Sequence, residues 1–430
     1  MAKTTLDQLL SFLNRTPTPF HVVRELAAQL TDAGFRELKE TDDWGGLGPG
    51  RYLVCRDQAT LAAFTLTGDS PAKTGLRMAG AHTDSPCLKL KPKPVRQVNN
   101  CQLLAVEVYG GPLLNPWFDR DLSLAGRVSW MGDETPCHDL IDLKKPIGII
   151  PSLAIHLDRE ANSKRSINKQ NDLTVLTGTE PYDLKELLLQ ALSVEARPSA
   201  LLAHDLFLYP VEHARITGIG RNMITGARLD NLVSCFCLIQ ALVNAPQEEN
   251  ALVLLSTHEE VGSQSAQGAQ GAFLHQIISR LIPDPEKCCQ AMARSLMISV
   301  DNAHATHPNA PDKHDPNHAV LLNKGIALKW NASQRYATDS RGAAFFKGLC
   351  RRASVGLQDF VMRNDMACGS TIGPITAALT GVRTLDIGIP SLAMHSARET
   401  CGAADVADLQ TVMELYFSLA GNDPLWQGQK

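Results

Sequence analysis

Several features are missing from this chain, and each absence argues against a class of protein. No apolar run in the 430 residues approaches the length of a bilayer span, roughly 20 residues, so we expect no membrane partner. The net charge is −4 and no broad basic surface stands out, which argues against nucleic acid as a partner. No internal repeat or low-complexity linker is present.

The eleven cysteines also lack a pattern. They are scattered, with no Cys-x-x-Cys pair, and match neither a zinc ribbon nor a disulfide framework. Reduced thiols of this kind are typical of the cytoplasm. Residues 1–7 are polar, and no apolar stretch typical of a signal peptide follows them. We therefore expect a cytoplasmic protein. The GxSxG motif of serine hydrolases is missing as well.

The pattern of elements predicts an α/β fold. Strands at 251–257, 295–300 and 383–388 alternate with helices near 339–353, 370–380 and 403–420. Such alternation is typical of a doubly wound, mostly parallel sheet with helices on both faces. Short β segments separated by Gly, Pro, Asn and Asp instead fill residues 94–227. We predict one α/β domain made of residues 1–93 and 228–430, with a β-rich domain of residues 94–227 inserted into it.

Acidic residues and histidines follow several of these strands. His82, Glu260 and Asp301 each come after an apolar strand-like run, while Asp230 and His395 lie in turns next to such runs. Carboxylate and imidazole groups suit Zn²⁺, Mn²⁺ or Co²⁺. Five such groups are more than one ion needs, and a bridging carboxylate would let them serve two ions about 3.5–4 Å apart. The adjacent Glu259 is placed to move a proton beside a ligand.

Each residue also has an ordinary structural interpretation. A single histidine at a strand end can be held by hydrogen bonds, Asp230 can be a helix N-cap, and Asp301 can belong to a turn. The pair Glu259-Glu260 is harder to explain in this way, because it follows a fully apolar strand. A second group of histidines occupies residues 304–318. We favour a loop that faces the substrate there over a separate metal site, because prolines interrupt any helix.

Five segments together resemble the M18 metallopeptidases, the aspartyl aminopeptidases and their bacterial relatives. The motifs are AGAHTDSP at 79–86, RLDN at 228–231, HEEVGS at 258–263, SVDNAH at 299–304 and IPSLAMHS at 389–396. They appear in the order of the family, and the resemblance covers essentially the whole chain.

The resemblance implies a site with two zinc ions. His82 and Asp301 would hold one ion, Glu260 and His395 the other, and Asp230 would bridge them. Glu259 would be the general base, and Asp84 would orient His82 by accepting its other ring N–H.

The resemblance also implies how substrate is bound and how subunits assemble. Members form dodecamers built from dimers, and a histidine of a neighbouring subunit's inserted domain completes each site; the matching residue here is His156. Substrate contacts would fall to His304, Lys329 and Tyr336. Lys329 is the candidate to read an acidic side chain.

We therefore expect a metal-dependent aminopeptidase that removes N-terminal Asp or Glu from peptides. One alternative is a deacylase or carboxypeptidase with the same two-metal scaffold, although a carboxypeptidase would need a basic clamp that no paired arginine motif supplies. Another is a catalytically silent protein that forms a shell, although such a protein would have lost a ligand or the base.

Overall fold

The computed structural model describes residues 4–132, 134–192, 201–246 and 248–428. Its helices are α1 Thr5–Arg15, α2 Pro19–Asp32, α3 Pro71–Thr74, α4 Ala161–Lys164, α5 Leu184–Gln190, α6 Leu229–Asn244, α7 Phe273–Leu281, α8 Pro285–Arg294, α9 Ser340–Ala353, α10 Ile372–Thr380, α11 Ala403–Phe417 and α12 Pro424–Gly428. Single 3-10 turns lie at Asn115–Trp117, Glu259–Val261 and Pro311–Lys313.

The described strands form three sheets. The largest has the order β1-β2-β3-β13-β4-β14-β18-β16-β17, with the strands β1 Arg36–Glu37, β2 Gly50–Arg56, β3 Thr60–Leu66, β4 Arg77–His82, β13 Ala251–Ser256, β14 Leu296–Val300, β16 Ile326–Trp330, β17 Leu357–Val361 and β18 Arg383–Gly388. The second has the order β8-β7-β10-β5-β6-β9, with β5 Cys87–Val98, β6 Cys101–Tyr109, β7 Leu122–Met131, β8 Pro136–Asp142, β9 Val175–Gly178 and β10 Leu201–Pro210. The smallest has the order β11-β12-β20-β19-β15, with β11 Arg215–Thr217, β12 Met223–Gly226, β15 Ala303–His304, β19 Pro390–Leu392 and β20 Glu399–Gly402.

The centre of the largest sheet explains the apolar runs in the sequence. Strands β13, β4, β14 and β18 are parallel neighbours. In β13, Val253 and Leu255 pack into the core with helices α1, α2, α6 and α11, while Leu252 and Leu254 pack into the core with α7 and α8. Because helices cover both faces, every residue of the strand is buried and none needs to be polar. The predicted α/β class with a mostly parallel central sheet is confirmed.

The described β segments of the middle of the chain form most of the second sheet, which has a core of its own around Leu124, Val128 and Leu206. This antiparallel sheet begins at Cys87 and ends at Pro210, whereas β11 pairs with β12, and β12 pairs with the C-terminal strand β20. The predicted domain boundaries at residues 94 and 227 stay a prediction. Within the described ranges, none of the helices has both the length and the hydropathy needed to cross a bilayer.

Candidate metal centre

Parallel pairing brings four of the predicted site residues to one edge of the central sheet. Strand β4 ends at His82, which pairs with Ser256 at the end of β13, and the turn with Glu259 and Glu260 follows directly. Asp301 follows β14, the other neighbour of β4. The carboxyl ends of parallel strands meet at one edge, which is where open α/β sheets bind ligands.

Six residues, called the metal cluster below, form three overlapping groups. In each group the potential ligand atoms lie within 4.8 Å of one another, and the groups are His82, Asp230 and Asp301; His82, Glu259 and Glu260; and Asp230, Glu260 and His395. The structure thus brings together all five predicted metal ligands and the predicted base.

Asp230 connects the two histidines. Its Oδ1 lies 3.5 Å from Nε2 of His82, and its Oδ2 lies 3.6 Å from Nε2 of His395. The N-cap position of α6 is occupied by Arg228, and the carboxylate of Asp230 faces the cluster. The side chain is buried, with 3% of its surface exposed.

The other ring nitrogen of each histidine has a main-chain partner. Nδ1 of His82 lies 3.1 Å from the carbonyl oxygen of Asp84, and Nδ1 of His395 lies 3.1 Å from that of Gly111. A carbonyl oxygen only accepts hydrogen bonds, so both Nδ1 atoms carry the proton. Nε2 of each ring is therefore the nitrogen that faces the carboxylates, and it would become the metal ligand on losing its proton.

The carboxylate of Asp84 has a different set of partners from the one expected. It lies 3.6 Å from Nδ1 of His82, and the shorter contact to that ring comes from the carbonyl of the same residue. Its oxygens accept the main-chain N–H groups of Glu259 at 3.1 Å and Glu260 at 3.2 Å. Asp84 therefore fixes the turn that carries the two glutamates, in addition to holding His82.

The cluster is crowded with negative charge. Burial, together with repulsion from Asp301, Asp84 and Asp230, raises the pKa of Glu259 to about 7 against the attraction of His82. Burial and repulsion from Asp230 raise the pKa of Glu260 well above its usual value. Burial opposes ionisation of Asp230 as well, but the neighbouring imidazole rings of His395 and His82 lower its pKa. A bound cation would stabilise all three carboxylates.

The residues present fit a pair of divalent ions. Oδ1 of Asp230 and Oε1 of Glu260 are buried and have no hydrogen-bond partner among the described residues. Unpaired buried acceptors are rare in proteins and require an explanation. Two imidazole lone pairs and several carboxylate oxygens converging on the same space are the donors that zinc takes.

Sequence reasoning missed a buried acid beneath this cluster. Glu399 accepts the main-chain N–H of Asp230 at 3.0 Å and that of His395 at 2.7 Å. It follows the predicted ligand His395 by four residues. No local signal sets this glutamate apart, because its neighbours Arg398 and Thr400 are polar as well.

The predicted substrate residues divide into two sets. Lys329 lies next to the cluster, with Nζ 3.5 Å from Oδ2 of Asp301 and 5.2 Å from the ring centre of Tyr336. His304 is half-buried nearby, and burial and the charge of Lys329 lower its pKa. His156 lies elsewhere, exposed in a turn, and no hydrogen bond or ion pair in the described part of the chain joins it to the cluster.

The histidine loop, residues 304–318, does not form a second converging group among the described residues. Nε2 of His314 accepts the main-chain N–H of His307 at 3.1 Å, and Nδ1 of His318 lies 2.7 Å from Oδ1 of Asp315. These nitrogens hold the loop together.

Comparison with known proteins gives consistent matches along the chain. The sequence model of a family described as aminopeptidase I zinc metalloprotease (M18) matches residues 12–417. A probable M18 family aminopeptidase 2 of Ectopseudomonas mendocina (strain ymp) is 48% identical over 424 residues, which cover 97% of this chain and 99% of that protein. A protein of the same name from Pseudomonas syringae pv. syringae (strain B728a) is 49% identical over 416 residues, covering 95% and 97%.

Solved structures agree with these matches. A cryo-EM structure of the Ape4 and Nbr1 complex contains a chain with a TM-score of 0.93 and 37% identity, covering 96% of this chain and 85% of that one. The structure of the S. cerevisiae mApe1 dodecamer has a TM-score of 0.85 and 29% identity, covering 98% and 97%.

Proposed function

This chain belongs to the M18 family of aminopeptidase zinc metalloproteases, and we propose that it uses two zinc ions to remove N-terminal aspartate and glutamate from peptides. The observation that carries the two-ion proposal is the position of Asp230. It turns one carboxylate oxygen towards His82 and the other towards His395, at 3.5 and 3.6 Å. A carboxylate with two such neighbours can serve two ions at once.

The proposed ligands divide around this bridge. His82 and Asp301 would hold one ion, Glu260 and His395 the other, and Asp230 both. Bound zinc would supply Lewis acidity that polarises a peptide carbonyl and acidifies a water molecule. The same donors accept Mn²⁺ or Co²⁺, so zinc is chosen on the family description.

Glu259 is the proposed general base. It neighbours a ligand in sequence, lies in the cluster with His82 and Glu260, and is held by Asp84 through its main-chain N–H. A glutamate in this position can take a proton from the attacking water and deliver it to the departing amine. Both carboxylates lie within the cluster. The assignment of Glu259 as the base and Glu260 as the ligand is therefore supported by the resemblance to the family.

Lys329 is the proposed reader of the acidic side chain. It has only 2% of its surface exposed and its ammonium group faces Oδ2 of Asp301, whose Oδ1 faces His82. If Asp301 binds a cation, the lysine charge would be available to a substrate carboxylate. Tyr336 and His304 flank this position and are proposed to contact the substrate.

We also propose a dodecamer built from dimers, in which His156 of a neighbouring subunit completes each site. Three apolar side chains exposed beside it support an interface: Leu153, Ile155 and Leu157, with 59, 45 and 74% exposed. The inserted domain of residues 94–227 is proposed to make these contacts. The eleven free cysteines support a reducing, cytoplasmic location.

The test is an assay of the purified protein with aspartyl-, glutamyl- and leucyl-anilides, before and after chelation, with metal content measured in parallel. We expect two zinc ions per chain, hydrolysis that stops on chelation, and faster turnover of the acidic substrates. Lys329→Met should lower turnover of the acidic anilides far more than that of the leucyl-anilide. Equal losses would remove Lys329 from side-chain recognition, and one ion per chain would contradict the bridging role of Asp230.

A further inference from the structure

We infer that the segment from Tyr109 to Leu113, called the strap below, positions both halves of the metal cluster from the second sheet. The strap is the chain that leaves strand β6, and it contacts the cluster at three places. The inference rests on the proposed two-zinc function and adds residues to it that act through the ligands.

The register of the second sheet explains how the strap reaches the site. Strand β5 begins at Cys87, three residues after Asp84, and Cys87 pairs with Tyr109 at the end of β6. The last residue of β6 is therefore adjacent to the chain that has just left the central sheet. A shift of one residue would turn the tyrosine to the opposite face of the sheet.

Tyr109 acts on the turn that carries the glutamates. Its hydroxyl donates to Oδ2 of Asp84 at 2.7 Å, and the same carboxylate accepts the N–H groups of Glu259 and Glu260. The Phe207 ring packs edge-on against Tyr109, with ring centres 5.9 Å apart. Asp84 is fully buried, so each donor contributes to fixing its orientation.

Gly111 and Leu113 act on the opposite half of the cluster. The carbonyl of Gly111 accepts Nδ1–H of His395 at 3.1 Å, which leaves Nε2 to face Asp230 and Glu260. The N–H of Leu113 donates to the carbonyl of His395 at 2.9 Å. The strap thus fixes both the ring and the main chain of this histidine.

Gly110 keeps the strap against Glu260. Its φ is +70°, and a Cβ atom there would lie 3.2 Å from Cβ of Glu260. A larger residue would therefore push the strap and the Glu260 turn apart. The strap therefore contacts two residues of the cluster, Glu260 and His395, and the supporting Asp84.

The first test compares two tyrosines in the full-length purified protein. Tyr109→Phe should raise the dissociation constant for zinc, measured by competition with a chelating dye, about 10-fold, as loss of an outer hydrogen bond does in other zinc sites. Tyr209→Phe is the matched control, since Tyr209 is also half-buried and donates to an aspartate, Asp142, at 2.5 Å. It should bind zinc as the wild type does. In an Asp84→Ala background, Tyr109→Phe should cause no further loss, because the hydroxyl acts through that carboxylate.

A second pair of variants separates the Glu260 contact from backbone strain. Gly110→Ala should weaken zinc binding, whereas Gly381→Ala should not, because Gly381 has nearly the same φ, +69°, but nothing within 4 Å of a Cβ. Thermal unfolding of the zinc-free proteins measures the stability of the fold, so that a loss of stability can be told apart from a loss of zinc affinity. Equal zinc affinities of Tyr109→Phe and Tyr209→Phe, or equal effects of the two alanines, would overturn the role of the strap. A wild-type protein that takes up no zinc would instead contradict the proposed function.

Discussion

The metal cluster and the histidine loop contain the same kinds of metal-binding side chain, but the partners of their nitrogen and oxygen atoms differ. In the loop, one ring nitrogen of His314 and one of His318 form hydrogen bonds with neighbouring residues of the same loop. In the cluster, Nε2 of His82 and of His395 face carboxylates, and Oδ1 of Asp230 is buried without a hydrogen bond. Density of histidines in the sequence therefore indicates a metal site less well than convergence of unsatisfied acceptors does.

The origin of this difference is topological. The cluster draws on residues from His82 to His395, which parallel strands and the start of α6 bring to one edge of the sheet. The loop lies between β15 and β16, with the 3-10 turn Pro311–Lys313 in its middle. A short segment satisfies its polar groups locally, whereas strand ends fixed by a buried sheet can hold charged groups at close range.

The variant expected to have the largest effect is Asp230→Asn. Removing the charge between the two histidines should release both ions and reduce turnover to that of the chelated protein. Asp405→Asn is the control, because Asp405 is another buried aspartate and its oxygens accept the N–H groups of Asn323 and Gly325, which do not belong to the cluster. Metal content by elemental analysis should be unchanged in the control. If Asp230→Asn kept both ions, metal binding by the cluster would not depend on Asp230, and its proposed bridging role would be contradicted.

The next largest effect is expected for Glu259→Gln. If Glu259 transfers the proton, turnover should fall about 10²–10⁴-fold while metal content stays the same. Glu260→Gln shares the turn and the burial of its neighbour, and it should lose metal instead. The paired measurement of kcat and bound zinc separates base from ligand. Loss of metal in Glu259→Gln with none in Glu260→Gln would exchange the two assignments.

A smaller effect is expected for Glu399→Gln. A glutamine can accept only one of the N–H groups of Asp230 and His395, and its amide would face the other. We expect zinc affinity to fall about 10-fold, which is the range for groups that hold a ligand in place. Glu249→Gln is the control, since Glu249 is paired with Arg77 and accepts the N–H of Gly421. Unchanged zinc affinity in Glu399→Gln would show that these main-chain contacts do not tune the cluster.

Much of the fold could be predicted from the sequence, but the pairing and register of the strands could not. Helix α2 runs from Pro19 to Asp32 with Gly34 in a left-handed conformation, as Thr18-Pro19 and Gly34 indicate. Helices α7 and α8 were not predicted, although Asp284-Pro285 is a clear N-terminal signal. The metal-binding residue types were visible at strand ends. Tyr109 was not, because its place beside Asp84 depends on the register between β5 and β6, which leaves no local signal.

The smallest effect is expected where histidines are densest in the sequence. His314→Ala and His318→Ala should leave the zinc content and the zinc dissociation constant unchanged, because their bonded nitrogens face His307 and Asp315 rather than a shared space. Stability should fall by about 1 kcal/mol, because each variant removes one hydrogen bond within the loop. His304→Ala serves as the contrast, since His304 lies at the inner end of the loop and is proposed to contact the substrate. This variant should raise KM for peptides. Loss of a bound ion in either of the first two variants would mean that the loop, like the cluster, binds metal.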